Sequence, residues 1–370
     1  MSEYFKENYT NDSIRAVDAK FEAQKIAFAP LTYQAIRALL ELNILRTISN
    51  SKSKGITLEE ITEKTGLSHY GVKVLLEIAL GMNVVKVQPA EKEKTEARFI
   101  LGKTGYFLLE DEMTKVNFNF VNDVCYKGAF ELKRSVQEGK PKGLEVFGYN
   151  DKTIYEVLSV LPEDVKKSWF DFDHFYSDIG FEEALPIVFS KKPKKIIDIG
   201  GNTAKWAITC CKYDPDVEVQ IVDLPGQTAV AEKEAAKAGF SDRIKTFSCN
   251  MLNNETAVPQ GADIIWMSQF LDCFSLDEIT GIMNKVRLAA SPSADIFIFE
   301  PFWDKQKFEA ASFSLQATSL YFTCMANGNS KMYNSHEFER AVKKAGFTVC
   351  EAFHDLGSNA YSLLRCRRES

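Results

Sequence analysis

The hydrophobic pattern of the first hundred residues predicts helices followed by a β-hairpin. Apolar residues recur at roughly helical spacing through residues 14–50. Thr57, with Glu60 three residues later, predicts a capping box at the start of a further helix. Gly66 is expected to end that helix and Ser68 to cap the next. The segments "VVKVQ" and "RFILG" can then pair as strands around the charged tip "EKEKTEA", which is the element order of a winged helix-turn-helix.

We assign this mostly helical winged-helix domain to residues 1–105, and its function has two interpretations. A winged helix can bind DNA, or it can be a structural or dimerisation module. The second helix, "SHYGVKVLLEIALG", carries one cation, Lys73, against Glu77 and is otherwise apolar. A recognition helix needs Arg, Lys, Asn or Gln to reach base edges. The sequence therefore favours dimerisation and predicts no nucleic-acid partner.

Residues 106–185 are expected to be helical and rich in aromatic side chains, and we assign them to a linker that contributes to a substrate pocket. Examples are "VNFNFVNDVCYKGAFELKRSV" and "SWFDFDHFYSDIGFEEALPIVF". Most of these rings should lie in the core, but a minority can line a pocket for a planar molecule. His174 and Tyr176 in "FDFDHFY" are our candidates for that pocket.

From residue 194 onwards the pattern changes to apolar runs that alternate with helical segments. The runs "KKIIDIG", "EVQIVDL", "IKTFSCN", "DIIWMSQFL" and "ADIFIFEP" are typical of buried parallel strands. Alternation of this kind predicts an α/β fold with a Rossmann-like, doubly wound sheet over residues 186–370. The last segments, "TVCEAFHDL" and "AYSLLRCR", are joined by the short turn "GSN", so they must pair antiparallel. Such a C-terminal hairpin distinguishes methyltransferase sheets from most dinucleotide-binding ones.

Charge and cysteine content limit the binding partners and the cellular compartment that we expect for this protein. A formal net charge of -6 argues against a large nucleic-acid footprint. The N-terminal residues are charged throughout, and no later stretch is long and apolar enough to span a bilayer, so we expect no signal peptide, no membrane association and a cytoplasmic location. The eight cysteines include no CxxC pair and mostly lie in apolar segments. They predict reduced core thiols and neither a metal site nor a disulfide framework.

The stretch "DIGGNTAKW" places two adjacent glycines, Gly200 and Gly201, where a strand turns into a helix. It lacks the G-x-G-x-x-G spacing that cradles a pyrophosphate. Asp223 ends the second strand and has the chemistry to hold ribose hydroxyls, and Asn250 ends the third and can hydrogen-bond an adenine. Each has a structural alternative, since a glycine pair can be a simple turn and Asp223 can cap the next helix. Three such groups at successive strand ends favour S-adenosylmethionine, which has no phosphate.

These segments, together with "IVDLPG", "GADIIWMSQFLDCFSLDEI" and "FIFEP", resemble the small-molecule O-methyltransferases related to caffeate and hydroxyindole O-methyltransferases. The resemblance implies a class I S-adenosylmethionine-dependent enzyme that forms a homodimer through its N-terminal domain. The family's later glycines fall on Asn202 and Ala204, and its acidic residue after the third strand falls on Asn250. The predicted cofactor-binding residues are Asp198, Gly200, Gly201, Asp223, Leu224, Asn250, Met251 and Ser268.

The catalytic positions depart from the family pattern. Where the family has a histidine base, an ungapped alignment places Asp272, and the family's second glutamate falls near Met332. The first glutamate matches Glu300. A carboxylate of ordinary pKa, about 3.9, is a poor base for a phenol unless burial raises that pKa. We predict Asp272 and Glu300 as catalytic, with helix capping as the alternative for Asp272 and with His174 as the best substitute base.

The acceptor pocket is expected in residues 302–333, where this family builds it. Phe313 and Met325 are our candidates there, among several rings that can equally be dimer or domain packing. The number of rings predicts a small aromatic or polyketide-like acceptor that is methylated on a hydroxyl. Two other interpretations are a relative that binds the cofactor but has altered or lost methyl transfer, and a ligand-responsive DNA-binding regulator.

Overall fold

The chain forms two compact units, one made of residues 11–119 and the other made of the residues before Asn11 together with those from Phe120 onwards. The predicted three-part division stays a prediction, but the segment 106–185 is shared between the two units, since its first part belongs to the N-terminal unit. The ranges that the computed structural model describes are 9–88, 96–177, 180–253 and 255–369.

The N-terminal unit is mostly helical, as the sequence predicts. Its two strands, β1 (Val85–Gln88) and β2 (Arg98–Leu101), pair antiparallel with Val85 opposite Leu101. The helices are α1 (Ala16–Ala27), α2 (Ala29–Glu41), α3 (Ile44–Asn50), α4 (Leu58–Thr65), α5 (His69–Gly81), α6 (Lys103–Glu110) and α7 (Glu112–Phe120), at whose end the unit stops.

Local sequence signals determine where the central helices of this unit begin and end. Thr57 and Glu60 form the predicted capping box, in which each side chain accepts a hydrogen bond from the other residue's backbone N–H. Gly66 ends α4 with a left-handed backbone, and Ser68 caps α5 by accepting from the N–H of Gly71. The predicted order of helix, helix and hairpin is confirmed, but most of the predicted tip between β1 and β2 lies outside the described residues.

The second unit is built on a seven-stranded sheet with strand order β5-β4-β3-β6-β7-β9-β8. The first five strands of the chain in this sheet are parallel, and β9 lies antiparallel between β7 and β8, which confirms the predicted C-terminal hairpin. The strands are β3 (Lys195–Ile199), β4 (Glu218–Asp223), β5 (Ile244–Ser248), β6 (Ile264–Ser268), β7 (Asp295–Glu300), β8 (Phe347–Leu356) and β9 (Tyr361–Arg368).

Helices precede the sheet and connect its strands, as expected for a doubly wound α/β fold. Those before the sheet are α8 (Leu132–Glu138), α9 (Ile154–Val157), α10 (Glu163–Ser177) and α11 (Phe181–Val188). Those after its first strand are α12 (Lys205–Tyr213), α13 (Pro225–Lys237), α14 (Leu276–Ala289), α15 (Glu309–Tyr321) and α16 (Ser335–Lys344). None of the helices in the described ranges combines the length and the apolar character that a bilayer crossing requires.

Apolar side chains cover both faces of the sheet. On one face the indole rings of Trp206 and Trp266 stack with centroids 3.8 Å apart, and Phe181 packs against both. On the other face Ile282, Met283 and Val286 of α14 belong to the cluster that covers β6 and β7. Of the eight cysteines, all are free thiols, and the five buried ones are Cys210, Cys211, Cys249, Cys324 and Cys366.

The start of β7 carries a buried carboxylate that is surrounded by cations. Asp295 accepts hydrogen bonds from Lys191 Nζ at 2.8 Å, Arg365 Nη2 at 2.7 Å and Arg367 Nε at 2.9 Å. Burial by itself raises the pKa of Asp295, but these bonds outweigh it and hold the pKa at about 2. Because the folded pKa lies below the unfolded value, this contribution to stability is present above about pH 4 and is lost as the pH falls towards 2.

We expect the Asp295→Asn variant to lower the free energy of unfolding at pH 7 by about 2 kcal/mol, since the amide leaves three cations without their carboxylate. Urea unfolding followed by circular dichroism measures the change, and the difference from the wild type should shrink below pH 4. Asp216→Asn is the control, because Asp216 pairs with Lys194 on the surface and its loss should change stability little. A loss for Asp295→Asn that is no larger than the control's would contradict the assignment.

Candidate active site

The carboxyl ends of the parallel strands open onto a cavity of about 470 Å³, which we call the main cavity. This edge of the sheet is where doubly wound folds bind their ligands, because the strand order reverses there. Gly200 after β3, Asp223 at the end of β4, Asn250 after β5 and Gln269 after β6 all line it. The convergence that the sequence predicts for Gly200, Asp223 and Asn250 is therefore seen in the structure.

The turn after β3 needs glycine because neighbouring groups come very close. Gly200 has φ +77°, and a Cβ there would lie 2.4 Å from the ring of Phe270. A Cβ at Gly201 would lie 2.7 Å from Asp198 Oδ2. Asn202 and Ala204, where the family resemblance expects glycine, keep a left-handed backbone with φ 44° and 63°. The turn thus keeps its shape without the later glycines, at the cost of backbone strain.

A smaller polar cavity of about 70 Å³ adjoins this turn, and we call it the small cavity. Asp198, Asn202, Ser268 and Gln269 line it, and each has a buried side-chain oxygen without a hydrogen-bond partner among the described residues. Burial, and then the nearby charge of Asp223, raise the pKa of Asp198 to about 8. Unpartnered buried oxygens are costly, so this set is typical of a site that a polar ligand completes.

The carboxylate of Asp223 is oriented by the backbone around it. Its Oδ2 accepts from the N–H of Asn202 at 3.0 Å, and its Oδ1 accepts from the N–H of Leu224 at 2.7 Å. Burial raises the pKa of Asp223, while these two bonds lower it. Each carboxylate oxygen retains acceptor capacity, so Asp223 can accept from two ligand hydroxyls at the main cavity. Leu224 lines the same cavity.

The loop after β5, Cys249–Asn253, which we call the β5 loop, lines the main cavity with Asn250, Met251 and Leu252. Asn250 Oδ1 accepts from the N–H of Leu252 at 2.9 Å, which leaves the amide N–H groups as the side chain's donors towards a ligand. Met251 is buried and contributes an apolar surface. This combination suits a flat heterocycle with ring acceptors.

Asp272 lies in the turn after β6, residues 269–274, which we call the β6 turn. Its side chain is 5% exposed, lines the main cavity and accepts from the Cys273 thiol at 3.4 Å. Burial raises the pKa of Asp272 to about 6, and the Cys273 hydrogen bond opposes that rise. A carboxylate with this pKa is mostly ionised at neutral pH and is a better base than an exposed aspartate.

Glu300, at the end of β7, lies behind the β6 turn and not in the lining of the main cavity. Its Oε1 accepts from the N–H groups of Phe270 at 3.0 Å and Leu271 at 2.9 Å, and Oε2 has no hydrogen-bond partner among the residues that the structure describes. Burial, and then the charge of Asp272, raise the pKa of Glu300 well above its ordinary value. Glu300 thus holds the backbone of the β6 turn, and its predicted catalytic role stays a prediction.

Aromatic side chains line the rest of the main cavity. Trp169 and Phe172 come from α10, and Trp169 Nε1 donates to the Tyr321 hydroxyl at 2.7 Å. Tyr155 from α9 and Phe322 after α15 complete this ring-lined part. Met332, near which the family's second glutamate falls, also lines the main cavity. Phe172 and Asp173 follow Trp169 by three and four residues, so one face of α10 meets the main cavity. This helical spacing can be read from the sequence, and it would have pointed to these residues.

The structure places the predicted acceptor-pocket residues in different environments. His174 lines the small cavity, not the main one. Tyr176 is buried beside Phe172, with ring centroids 4.9 Å apart, and Met325 is fully buried where Gly128 and Gly143 leave room for its sulfur. Phe313 is 68% exposed on α15. Tyr176, Met325 and Phe313 therefore do not line either cavity, because two are packed in the core and one faces outward.

Within the described ranges, no group of three or more His, Cys, Asp and Glu side chains is arranged to hold a metal ion.

Two family models match parts of this chain. Residues 20–94 match the model of the Dimerisation2-like domain, and residues 130–348 match that of the O-methyltransferase domain. L-tyrosine C(3)-methyltransferase of Streptomyces lavendulae is 23% identical over 322 residues, which cover 87% of this chain and 85% of that protein.

Two solved structures share the fold at low sequence identity. The S-adenosylmethionine-dependent methyltransferase SibL superposes with a TM-score of 0.69 at 19% identity, over 94% of this chain and 98% of its own. Human N-acetylserotonin methyltransferase, solved with S-adenosylmethionine, superposes with a TM-score of 0.64 at 15% identity, over 98% of this chain and 100% of its own.

The family resemblance predicted from the sequence is thus confirmed. Since the O-methyltransferase domain spans residues 130–348, more than half of the 370 residues, the chain belongs to the O-methyltransferase family and is an S-adenosylmethionine-dependent methyltransferase.

Proposed function

We propose that this enzyme methylates a hydroxyl group of a small aromatic or polyketide-like acceptor. The observation that carries the proposal is that one cavity is lined by the strand-end residues, by aromatic rings and by Asp272, a buried carboxylate whose pKa is near neutral. A cavity of this size lies within the range of small-molecule sites, and ring-lined walls suit a flat acceptor.

We infer that the residues at the strand ends hold S-adenosylmethionine. The unpartnered oxygens of the small cavity suit its charged amino-acid end, because an ammonium group there would satisfy Asp198 and lower that residue's raised pKa. Asp223 would accept from the ribose hydroxyls, and the β5 loop would enclose the adenine with Asn250 and Met251. When bound, S-adenosylmethionine supplies an electrophilic methyl group on a sulfonium.

Asp272 is the proposed general base. Its carboxylate would take the proton of the acceptor hydroxyl, so that the oxygen reacts as the better nucleophile. Phe270 and Phe274, whose rings meet edge to face with centroids 4.9 Å apart, lie on either side of Asp272 in the β6 turn and help keep water away from that carboxylate. Glu300 acts through this turn, because its hydrogen bonds to Phe270 and Leu271 set where Asp272 points.

Methylation of a ring carbon is the second candidate. It is favoured by the Streptomyces lavendulae relative, whose name specifies transfer to C(3) of L-tyrosine, the carbon beside the phenolic hydroxyl. Removal of the hydroxyl proton activates both the oxygen and the neighbouring carbon, so Asp272 can start either reaction. In the carbon reaction the methylated carbon then loses its own hydrogen as a proton, and the oxygen regains a proton to restore the phenol. Which atom receives the methyl group then depends on how the acceptor lies in the ring-lined part of the cavity.

The N-terminal unit is proposed to be a winged-helix module that joins two copies of the chain. The match to the Dimerisation2-like domain supports this, and so do exposed apolar side chains on its first helices, including Phe21, Ile26 and Leu31. We also propose a cytoplasmic location, because the eight cysteines are free thiols, as expected in a reducing compartment.

For the cofactor site, we expect Gly200→Ala to weaken binding of S-adenosylhomocysteine by at least about tenfold. The added Cβ has no room against Phe270, and alanine disfavours the left-handed backbone at this position. The turn after β3 and the β6 turn must therefore both move. Isothermal titration calorimetry measures the dissociation constant. Gly281→Ala is the matched control, since this glycine lies in α14 with open space around it and the change should leave binding unchanged. Equal affinities for the two variants would contradict the proposed site.

For the chemistry, we expect Asp272→Asn to lower kcat/KM by about 100-fold or more, since the amide cannot accept the proton. The wild-type kcat/KM should fall about tenfold per pH unit below pH 6, where Asp272 becomes protonated. The free energy of unfolding of Asp272→Asn at pH 7 should be equal to or above the wild-type value, because a buried ionised carboxylate is costly.

Methyl transfer is measured with deuterium-labelled S-adenosylmethionine and a panel of phenols, and the labelled position is found by NMR. Asp277→Asn is the control, because Asp277 is 92% exposed at its side chain in the first turn of α14. Label on oxygen supports the first candidate, and label on a ring carbon supports the second. An Asp272→Asn variant with wild-type activity would remove Asp272 from the mechanism.

A further inference from the structure

Lys285 is a buried lysine on α14 that lies outside the lining of both cavities. Its side chain reaches the β5 loop, where Nζ donates to the carbonyl of Asn253 at 2.6 Å and to the carbonyl of Asn250 at 3.2 Å. It also donates to the thiol of Cys249 at 3.5 Å. A buried ammonium group is tolerated only when its protons are used in this way. All three partners belong to the loop that lines the main cavity.

The partners of Lys285 are backbone carbonyls and a thiol, and no carboxylate of the described residues lies within ion-pair distance of it. The two carbonyls are three residues apart, so one ammonium group fixes the start and the end of the β5 loop together. Within the loop, Asn250 Oδ1 holds the N–H of Leu252. The β5 loop is therefore held by a hydrogen bond within the loop, to Asn250, and by hydrogen bonds from Lys285 on α14.

Helix α14 is a rigid support for the hydrogen bonds of Lys285. Ser275 and Glu278 form a capping box at its start, directly after the β6 turn that carries Asp272. Ile282, Met283 and Val286, which surround Lys285 in the sequence, are buried against the sheet. The same helix thus connects the β6 turn at its N-terminal end with the β5 loop near its C-terminal end.

We propose that Lys285 is a positioning residue for the nucleoside end of S-adenosylmethionine. It holds the β5 loop in the conformation in which Asn250, Met251 and Leu252 line the main cavity. This inference rests on the proposed placement of the adenine at that loop. Without Lys285 the two carbonyls lose their donor and the loop samples more conformations, so binding must supply the ordering free energy.

The test compares Lys285→Met, which keeps the length of the side chain but has no donor, with Lys245→Met. Lys245 is the matched control, because it lies on β5 just before the loop and donates instead to the carbonyl of Ser241 on the surface. Calorimetry measures the dissociation constants of S-adenosylhomocysteine and of its nucleoside fragment, 5′-methylthioadenosine. We expect both to rise by about tenfold or more in Lys285→Met and by less than about twofold in Lys245→Met.

Hydrogen exchange separates positioning from a general loss of stability. The amides of the β5 loop should exchange faster in folded Lys285→Met than in the wild type, and added S-adenosylhomocysteine should slow them again, while the strands of the sheet keep their protection. Lys285→Arg, which retains donors, should recover most of the affinity. If Lys285→Met does not fold, Lys285→Leu, which also has no donor, serves as the test variant with the same expectations.

Wild-type affinity in Lys285→Met would overturn the inference, and so would weaker binding of S-adenosylhomocysteine with unchanged binding of 5′-methylthioadenosine. Asp223→Ala separates a failure of the role of Lys285 from a failure of the proposed nucleoside placement. If Asp223→Ala weakens binding and Lys285→Met does not, only the role of Lys285 fails. If Asp223→Ala binds S-adenosylhomocysteine with wild-type affinity, the proposed placement of the nucleoside is wrong, and the role of Lys285 that rests on it is wrong as well.

Discussion

The two hydrogen bonds that Glu300 accepts from the backbone of Phe270 and Leu271 are the interaction on which the rest of the site depends. They tie the end of β7 to the turn that follows β6. From that turn the ring of Phe270 packs so closely on Gly200 that no side chain fits there, and Asp272 enters the main cavity. One buried carboxylate therefore sets both the shape of the glycine turn and the place of the proposed base.

This arrangement keeps several carboxyl groups away from water. Asp198, Asp272 and Glu300 are all buried and have raised pKa values, with burial as the main cause. Groups of this kind lower stability in the absence of a partner, and they are typical of sites where a charged ligand or a proton transfer supplies the compensation. By contrast, Asp295 at the opposite end of β7 has three cationic partners and a lowered pKa, which is the pattern of a structural ion cluster.

The two halves of the main cavity have different origins. The half assigned to S-adenosylmethionine is made by strand ends and the loops that follow them, so its residues are fixed by the sheet. The ring-lined half is made by α9, α10 and the end of α15, which are helices outside the sheet. Helix α10 also touches the cofactor side, because Asp173 accepts from Asn202 and His174 lines the small cavity. Lys285 supports the first half from outside the cavity, because it donates to the carbonyls of Asn250 and Asn253 in the β5 loop.

The sequence by itself determined the fold and the cofactor side of the site. Apolar runs that alternate with helical segments allow few arrangements other than a doubly wound sheet, and parallel strands bring Gly200, Asp223 and Asn250 to one edge wherever the rest of the chain lies. The turn between β8 and β9 is too short to join parallel strands, so the sequence also determined the antiparallel hairpin. Asp272 was identified through the family resemblance, because an ungapped alignment places it where the family has a histidine base.

Only the tertiary structure decided which aromatic residues line the main cavity and that Glu300 lies behind the β6 turn, outside that lining. Met325 and Phe313 have the same apolar character as Tyr321 and Phe322, but one is enclosed by Gly128 and Gly143 and the other faces outward. Helical spacing tells which residues share a face, whereas the packing of helices that are far apart in the chain decides which face meets the cavity. The position of Lys285 was equally hidden, because a lysine in an amphipathic helix is ordinarily exposed, and its three partners lie more than thirty residues away in sequence.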